Sequence, residues 1–408
     1  MKAGLLWLAL PVFAGCSPDA PPSPPLSSAP ATSATAAPID PLSLPIPRAE
    51  LDALPGLRDR VLGSPFGYFR YVNPRFLRAV CDKYAGSIGR MPTVNLHGDA
   101  HIEQYAVAAD GRGLADFDAT TMGPPIVDLV RFATSLQLAS SDDAGAERAI
   151  QAFLRGYETA LHNPEATAPE PVVATRIRAT FAPTAREWLD RVEQLMVPLD
   201  ADKQKKLEQA RVQYVGAMLA QNPDLKESFF AMKRGGALKM GVGSAHEKKF
   251  LGRFEGPTSL PDDDMVVEMK EMVAVPADTC VRGADRDPLR VVVGQSRLAL
   301  SPQRFLGYVD LEGRTFYVHA WRVHYTELGI GDLRGPAELA EVAYDVGLQL
   351  GKGHPKAIAD PHGADLRREL KGVVREVGPT LPSVAKEMAH RIVLAHAELK
   401  RSFEEDPP

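Results

Sequence analysis

The sequence predicts an α+β protein with a mainly helical lobe and a small antiparallel β lobe. Segments with helical periodicity or helix-favouring composition occupy much of the first 235 residues. Short apolar runs separated by Gly, Pro and Asp dominate from about residue 237 to 330, a pattern typical of strands and turns. Helical patterns return from residue 336 onward, and no internal repeat is present. The expected order is therefore helices, strands and helices again.

The first lobe is predicted from local patterns. Residues 48–90 form a short helical entry segment, and residues 92–118 alternate in a way that predicts short strands around a loop. Pro124-Pro125 precede a helix predicted from about Ile126 to Ser140, because its apolar residues recur at helical spacing. Two further helical stretches are predicted from their composition, 143–162 and 183–220.

The β lobe contains a hairpin signal. The strand candidates Phe305–Val309 and Thr315–Val323 are joined by a segment that contains Glu312-Gly313. A stronger strand candidate, Met265–Lys270, precedes them. These short segments favour an antiparallel sheet.

Composition limits the possible functions. The 408 residues are 45% hydrophobic and 24% charged, which is ordinary for a globular protein, and the net charge of −5 excludes a strongly basic nucleic-acid binder. We therefore expect no nucleic-acid partner. No apolar run reaches the roughly 18 residues that a membrane-spanning helix needs. The cysteines, Cys16, Cys81 and Cys280, are too few for a disulfide scaffold and fit no zinc motif.

The N-terminus resembles a bacterial lipoprotein signal. Lys2 precedes an apolar stretch, and Phe13-Ala14-Gly15-Cys16 resembles a lipobox, which implies cleavage before Cys16 and lipidation of its thiol. Residues 17–47 are rich in Pro, Ser and Ala, and they are expected to form a tether. The alternative is a buried N-terminal helix.

The lipoprotein interpretation has consequences for location. We expect a cell-envelope lipoprotein on the periplasmic side of a bacterial membrane, with the outer membrane as the first expectation. Cys81 and Cys280 would then lie in an oxidising compartment and could pair. The sequence leaves their pairing open.

The chemistry is concentrated in two neighbouring polar groups. The densest cluster lies at residues 95–104, and Asp116-Phe117-Asp118 follows it. On adjacent strands or loops, one carboxylate can accept a proton from an attacking hydroxyl while another holds a divalent cation on a phosphate. Asp128 is predicted to be structural: it either caps the helix that begins near Ile126 or holds the loop by accepting backbone N–H bonds.

These residues resemble the catalytic core of aminoglycoside and choline phosphotransferases, which share the protein-kinase fold. His97-Gly98-Asp99 and Asp116-Phe117-Asp118 match that core in order and spacing. The resemblance implies that Asp99 is the catalytic base, that His97 braces the catalytic loop and that Asp116 binds the metal. Asp118 is a second metal-ligand candidate, as is Gln104, which stands where the related enzymes have Asn.

The chain resembles more closely a bacterial family known as domain of unknown function 2252, which is grouped with kinase-like folds. This resemblance covers about residues 50–400. The motifs that carry it are Ser64-Pro65-Phe66-Gly67-Tyr68-Phe69-Arg70, Gly98-Asp99-Ala100-His101, Asp116-Phe117-Asp118, Gly241-Val242-Gly243-Ser244, Arg290-Val291-Val292-Val293-Gly294-Gln295 and Phe305-Leu306-Gly307. Their order makes the resemblance specific.

The later motifs imply a nucleotide site and an unusual order of the lobes. Gly241, Gly243 and Ser244 lie between strand candidates, where backbone N–H groups can approach phosphate oxygens closely. Lys270 corresponds to the strand lysine that contacts the α- and β-phosphates in kinases. Because this lobe follows the catalytic loop, the resemblance implies a circularly permuted protein-kinase-like fold that uses ATP and Mg²⁺. A helix predicted at Glu341–His354 would then end where an unpermuted chain continues to that loop.

This interpretation divides the chain into five parts. They are a signal peptide (1–15), a tether (16–47), a helical catalytic-loop lobe (48–235), a β-rich nucleotide-binding-like lobe (236–330) and C-terminal helices that complete the helical lobe (331–408). The N-terminal lipid would attach the protein to the membrane.

Three functions remain open at this stage. The first is a phosphotransferase that moves the γ-phosphate of ATP to a hydroxyl of an unidentified small-molecule or protein acceptor. The second is a catalytically inactive kinase-like lipoprotein that binds a ligand or partner, since the envelope has little ATP and Lys270 has no assigned glutamate partner. The third is a metal-dependent hydrolase, because His and carboxylate ligands suit zinc or manganese. Its candidate ligands are His97, Asp99, His101, Asp116 and Asp118.

Overall fold

The computed structural model describes residues 40–405 except 239–247, 273, 277–278, 284–285 and 360. The predicted signal peptide, Cys16 and most of the tether lie outside the described residues, as do Gly241, Gly243 and Ser244 of the predicted nucleotide loop. The end of the predicted tether is described and packs against the last helix of the chain. Leu42 is fully buried there, and Asp40 accepts an ion-pair contact from Arg391 at 2.6 Å.

The elements alternate between helices and short strands. The first helices are α1 (Arg48–Asp52), α2 (Pro55–Gly63), α3 (Pro65–Tyr71) and α4 (Asn73–Lys83). Short strands follow as β1 (Val94–Leu96), β2 (Tyr105–Ala108), β3 (Gly111–Leu114) and β4 (Thr121–Gly123). The middle of the chain forms α5 (Ile126–Ala139), α6 (Asp143–His162), α7 (Val172–Arg178), α8 (Ala185–Glu193), β5 (Met196–Val197) and α9 (Ala201–Gln221).

The second half of the chain contains the β lobe and the last helices. The β lobe consists of β6 (Met232–Leu238), β7 (Lys249–Phe254), β8 (Met265–Glu271), α10 (Pro288–Leu298), β9 (Arg304–Leu311) and β10 (Arg314–Ala320). The chain then forms β11 (Thr326–Glu327), α11 (Pro336–Gly353), α12 (Gly363–Val377) and α13 (Leu381–Glu405).

One antiparallel sheet organises the β lobe, with the strand order β5-β6-β7-β8-β10-β9. This confirms the predicted α+β class, in which a small antiparallel lobe accompanies a mainly helical one. One face of the sheet packs against α9 through apolar side chains that include Phe250, Val267 and Phe316. Because side chains alternate along a strand, the neighbouring positions on β8 point to the opposite face.

The predicted hairpin and the predicted helix after Pro125 are confirmed. β9 and β10 are joined by Glu312 and Gly313, whose φ angles of 53° and 71° fit a two-residue turn. Glu312 adopts this left-handed conformation without being a glycine. The helix expected at Ile126–Ser140 is observed as Ile126–Ala139, and the stretch 143–162 is observed as α6.

Two predictions about elements were wrong or incomplete. The stretch 183–220 is not one helix, because α8 ends at Glu193 and Met196 pairs with Leu238 as part of the sheet before α9 begins. Pro198 follows this strand, and proline disfavours a helical conformation at the residue before it. The helix α10 was not predicted, because residues 288–298 carry β-branched residues that favour strands as much as helices.

Two glycines let α6 and α11 approach closely. A Cβ at Gly156 would collide with the carbonyl oxygen of Tyr344, and one at Gly347 would collide with that of Phe153. This contact places α11 beside the strands that lead to the acidic loop. There Gln349 accepts a hydrogen bond from the backbone N–H of Leu114 at 2.7 Å.

A disulfide joins the two lobes. Cys81 on α4 is bonded to Cys280, which lies in the connection between β8 and α10, and their Cα atoms are 5.3 Å apart. The pairing that the sequence left open is therefore present. Among the helices of the described residues, none is long and apolar enough to cross a membrane.

Candidate functional site

Asp128 holds the loop that contains the predicted base. It lies in the first turn of α5 and is fully buried. Its carboxylate accepts the backbone N–H of His97 at 2.7 Å and that of Gly98 at 2.9 Å, and the ring Nε2 of His354 lies 3.2 Å from it. The loop-holding role predicted for Asp128 is therefore confirmed. Gly98 itself is required, because its φ is 78° and a Cβ would collide with the carbonyl of Ala119.

His97 links the two acidic loops. Its ring Nε2 donates to the carbonyl oxygen of Ala115 at 2.9 Å, and its Nδ1 accepts the backbone N–H of Asp99 at 3.4 Å. The ring is fully buried and packs against Phe117, with 4.9 Å between ring centroids. This geometry is that of a brace between the loops, which is the role the resemblance implied.

Asp99 is paired with a buried arginine that the sequence analysis missed. The Nε and Nη2 of Arg131 lie 3.0 and 2.5 Å from Oδ1 of Asp99. Arg131 is 1% exposed and its guanidinium carbon lies 3.6 Å from the centroid of the Phe69 ring. Burial raises the pKa of Asp99, although Arg131 opposes that shift. The available signal was an arginine on the apolar face of α5, one turn after Asp128.

His101 lies next to the other oxygen of Asp99. The distance from its Nε2 to Oδ2 of Asp99 is 3.8 Å, which is longer than a hydrogen bond. The ring is fully buried between Phe66 and Phe69, and neither ring nitrogen has a hydrogen-bond partner. Burial, followed by the charges of Arg70 and Arg131, lowers the pKa of His101 well below its ordinary value. The imidazole is therefore neutral near pH 7.

Lys270 of the β lobe contacts both aspartates of the second acidic loop. Its ammonium contacts Asp116, and it lies 2.5 Å from Oδ2 of Asp118. The lysine side chain is 3% exposed, whereas that of Asp116 is 28% exposed. Asp116 has a left-handed backbone, with φ 56° and ψ 71°, directly before a short helical turn. Asp116 and Asp118 therefore supply the ion-pair partners that the sequence left unassigned for Lys270.

A second lysine contributes to the charge of this cluster. Lys249 on β7 stands directly opposite Lys270 on β8. Burial lowers the pKa of Lys249, and the charge of Lys270 adds to that effect. Burial would raise the pKa of Asp116, but Lys270 and Lys249 hold it below its ordinary range. Lys249 was missed because only the strand register brings it to this position.

Gln104, the remaining predicted metal ligand, contacts the acidic loop through its backbone carbonyl. The carbonyl of Gln104 accepts the N–H of Ala115, the residue before Asp116, at 2.8 Å, and its side chain is buried. Arg290 of α10 donates to the carbonyls of Asp118 and Thr120 at 2.5 and 2.7 Å. The arginine thereby fixes the acidic loop from the β lobe.

The cluster combines a buried cation with carboxylates from the facing lobe. Such an arrangement can bind an anion at the lysines and a cation at the carboxylates, because either ligand replaces part of the existing ion pair. Among the described residues, no group of three or more His, Cys, Asp or Glu side chains is arranged to hold a metal ion.

The fold and this site define a class of protein: an α+β protein whose two lobes join a strand lysine to an acidic loop beside a His-Gly-Asp loop. Comparison with protein families identifies the class. The family model described as "Uncharacterized protein conserved in bacteria (DUF2252)" matches residues 51–212 and 175–402, and the chain belongs to this family. No curated protein and no solved structure gave a match.

Proposed function

We propose that the protein is a kinase-like phosphotransferase that moves the γ-phosphate of ATP to a hydroxyl acceptor. The observation that carries this proposal is the contact of Lys270, on β8, with Asp116 and Asp118, which follow the His-Gly-Asp loop in the other lobe. In kinases a strand lysine contacts the phosphates and a metal-binding aspartate holds Mg²⁺ on them, so the two residues belong to one cleft.

The order of elements supports a circularly permuted kinase-like fold. The segment with the predicted nucleotide loop connects β6 to β7, and Lys270 follows on the next strand. A helix and three strands lead from there to α11. Asp345 and Gln349 of α11 then contact Tyr105 and Leu114, close to the acidic loops that come earlier in the chain. This return of the chain is what the permutation requires, because an unpermuted chain would continue from α11 to those loops.

Each residue has a role in this proposal. Asp99 accepts the proton of the attacking hydroxyl, and His97 braces its loop. Lys270 binds phosphate oxygens. Asp116 and Asp118, with Gln104 as a further candidate, would hold Mg²⁺. They fit a cation because both carboxylates already converge on one ammonium group. When bound, Mg²⁺ neutralises charge on the phosphates.

The proposal includes attachment to the cell envelope. A lipid on Cys16 would anchor the chain, and residues 17–39 would space the folded part from the membrane. The disulfide between Cys81 and Cys280 supports this location, because disulfides persist in oxidising compartments.

A catalytically inactive binding protein is the second candidate. Its support is the Arg131–Asp99 pair, because an arginine that donates twice to one carboxylate oxygen opposes protonation of that carboxylate. A residue with this partner can serve to shape a binding cleft without transferring a proton.

Binding and turnover together test the proposal. Calorimetry of the purified full chain with Mg²⁺ and a non-hydrolysable ATP analogue should give saturable binding. Lys270→Met should weaken it at least about tenfold, because a charged phosphate contact is worth more than about 1.4 kcal/mol. Lys205 is an exposed lysine of α9, and Lys205→Met, the matched control, should leave the affinity unchanged. A folded protein that binds no nucleotide would overturn the proposal.

The role of Asp99 separates the two candidates. With γ-labelled ATP, Asp99→Asn should reduce phosphate release by about 10²-fold or more while the analogue still binds. Binding without any release of phosphate by the unaltered protein would favour the inactive binding protein instead.

A further inference from the structure

The face of the sheet that contacts the acidic loop includes two neighbouring rows of side chains at the end of β8 near that loop. Residues directly opposite each other on neighbouring antiparallel strands share a face. The first row, called here the lysine row, contains Lys249, Lys270 and Tyr317. The next row, called here the glutamate row, contains Leu251, Glu268 and His319.

The glutamate row is filled by the protein's own side chains. Oε2 of Glu268 accepts the indole N–H of Trp321 at 2.7 Å and lies 3.4 Å from Nε2 of His319. Burial would raise the pKa of Glu268, but His319 and the two lysines lower it to about 2, so the group is a carboxylate. Leu251 is fully buried in a cluster with Trp188 and other residues of α8, against which Trp321 also packs.

The lysine row is suited to anions. Like charges that face each other on a sheet destabilise it, and here Lys249 and Lys270 are directly opposite. The acidic loop offsets part of this charge. The open side of the row is at Asp116, whose side chain is 28% exposed against 3% for Lys270. A phosphate chain that enters there would meet both ammonium groups.

The residues of β8 beside Lys270 offer a nucleotide base fewer contacts than the lysine row offers the phosphates. The residues on β8 that share the face of Lys270 are Glu268, about 7 Å along the strand, and Met272, just beyond its end. Glu268 is a carboxylate with its partners in place, and Met272 is 1% exposed. Pockets for flat organic ligands are mostly apolar and open. Neither of these two residues provides such a surface.

We infer that this site recognises its ligand through a chain of phosphates and does not select a base. The inference rests on the proposed function, because it concerns the phosphate donor of that same site. The ligand class is an inorganic polyphosphate or any nucleoside triphosphate, since these share the phosphate chain. An envelope protein with such a site would not depend on ATP alone.

Calorimetry with the purified full chain and Mg²⁺ tests the inference. The probes are inorganic tripolyphosphate, ATP and GTP. We expect the three Kd values to agree within threefold. Lys249→Met should weaken all three at least tenfold, and Lys249→Arg, which keeps the charge, should stay within threefold of the unaltered protein. Lys205→Met is the control for removal of a lysine charge.

The other outcomes separate the inference from the proposed function. ATP binding more than tenfold tighter than tripolyphosphate or GTP would overturn the inference and leave a nucleotide-specific phosphotransferase standing. Absence of binding of all three by a folded protein would overturn both. If Lys249→Met does not fold, the comparison of the three ligands on the unaltered protein still decides.

Discussion

Arg131 donates from Nε and Nη2 to a single oxygen of Asp99, and the other oxygen is left next to His101, 3.8 Å away. The pair is almost removed from solvent, because the side chains of Arg131 and Asp99 are 1% and 14% exposed. The predicted base therefore depends on a residue of α5 for its position and its charge.

Removal of Arg131 should destabilise the fold strongly. Arg131→Met leaves Asp99 as a buried charge without its partner, and such losses cost about 3–5 kcal/mol. Urea unfolding at pH 7 measures the change, and Arg131→Lys should restore part of it. The half-exposed pair Arg58–Asp52 provides the control, since Arg58→Met should cost no more than about 1 kcal/mol. Equal effects of the two Met variants would contradict the importance of burial.

The Cys81–Cys280 disulfide should contribute measurable stability. It spans 199 residues of sequence, and a cross-link that closes a long loop restricts the unfolded chain. The double variant Cys81→Ser, Cys280→Ser should lose about 2–5 kcal/mol in urea unfolding. Reductant should lower the midpoint of the unaltered protein only, since the double variant has no bond left to reduce. A midpoint of the unaltered protein that does not respond to reductant would argue against a bond between the lobes.

Local patterns were sufficient to predict several elements. The helix after Pro125 and the hairpin at Glu312-Gly313 depend on residues close in sequence, so periodicity and turn chemistry were enough. The break between α8 and α9 was missed because it depends on the pairing of Met196 with Leu238. Such distant pairing is not visible in the composition of the segment.

The candidate site was predictable only in part, for the same reason. The meeting of Lys270 with Asp116 followed from a resemblance between ordered motifs. Arg131 and Lys249 belong to no such motif. Their places are set by the face of a helix and the register of a sheet, and both arise from tertiary packing.

Glu268 should make the stability of the fold depend on pH in the acidic range. Its pKa of about 2 lies below the ordinary 4.5 of a glutamate, so the folded state favours the carboxylate. The stabilisation is therefore present above about pH 4.5 and is lost as the pH falls toward 2. Glu268→Gln should cost on the order of 3 kcal/mol at pH 7, and the difference should shrink at pH 3.5.

Urea midpoints at pH 7, 5 and 3.5 measure the effect of Glu268. Glu227→Gln is the control, because Glu227 is exposed and its replacement should change stability by no more than about 0.5 kcal/mol at each pH. A difference for Glu268→Gln that stays constant from pH 7 to 3.5 would contradict the lowered pKa.

His101 should reduce the stability of the fold as the pH falls below the pKa of an ordinary histidine. Burial and the charges of Arg70, Arg131 and His97 lower its pKa well below 6.5, so the unfolded chain binds a proton that the folded one does not. Stability should then fall by about 1.4 kcal/mol per pH unit below about 6.5 from this group. His101→Phe removes the proton site and two unpartnered nitrogens, so it should be nearly neutral at pH 7.5 and relatively stabilising at pH 5. Urea midpoints at both pH values measure this, with exposed His162→Asn as the control. If His101→Phe and the unaltered protein lost the same stability between pH 7.5 and pH 5, the ring would have to be protonated inside the fold.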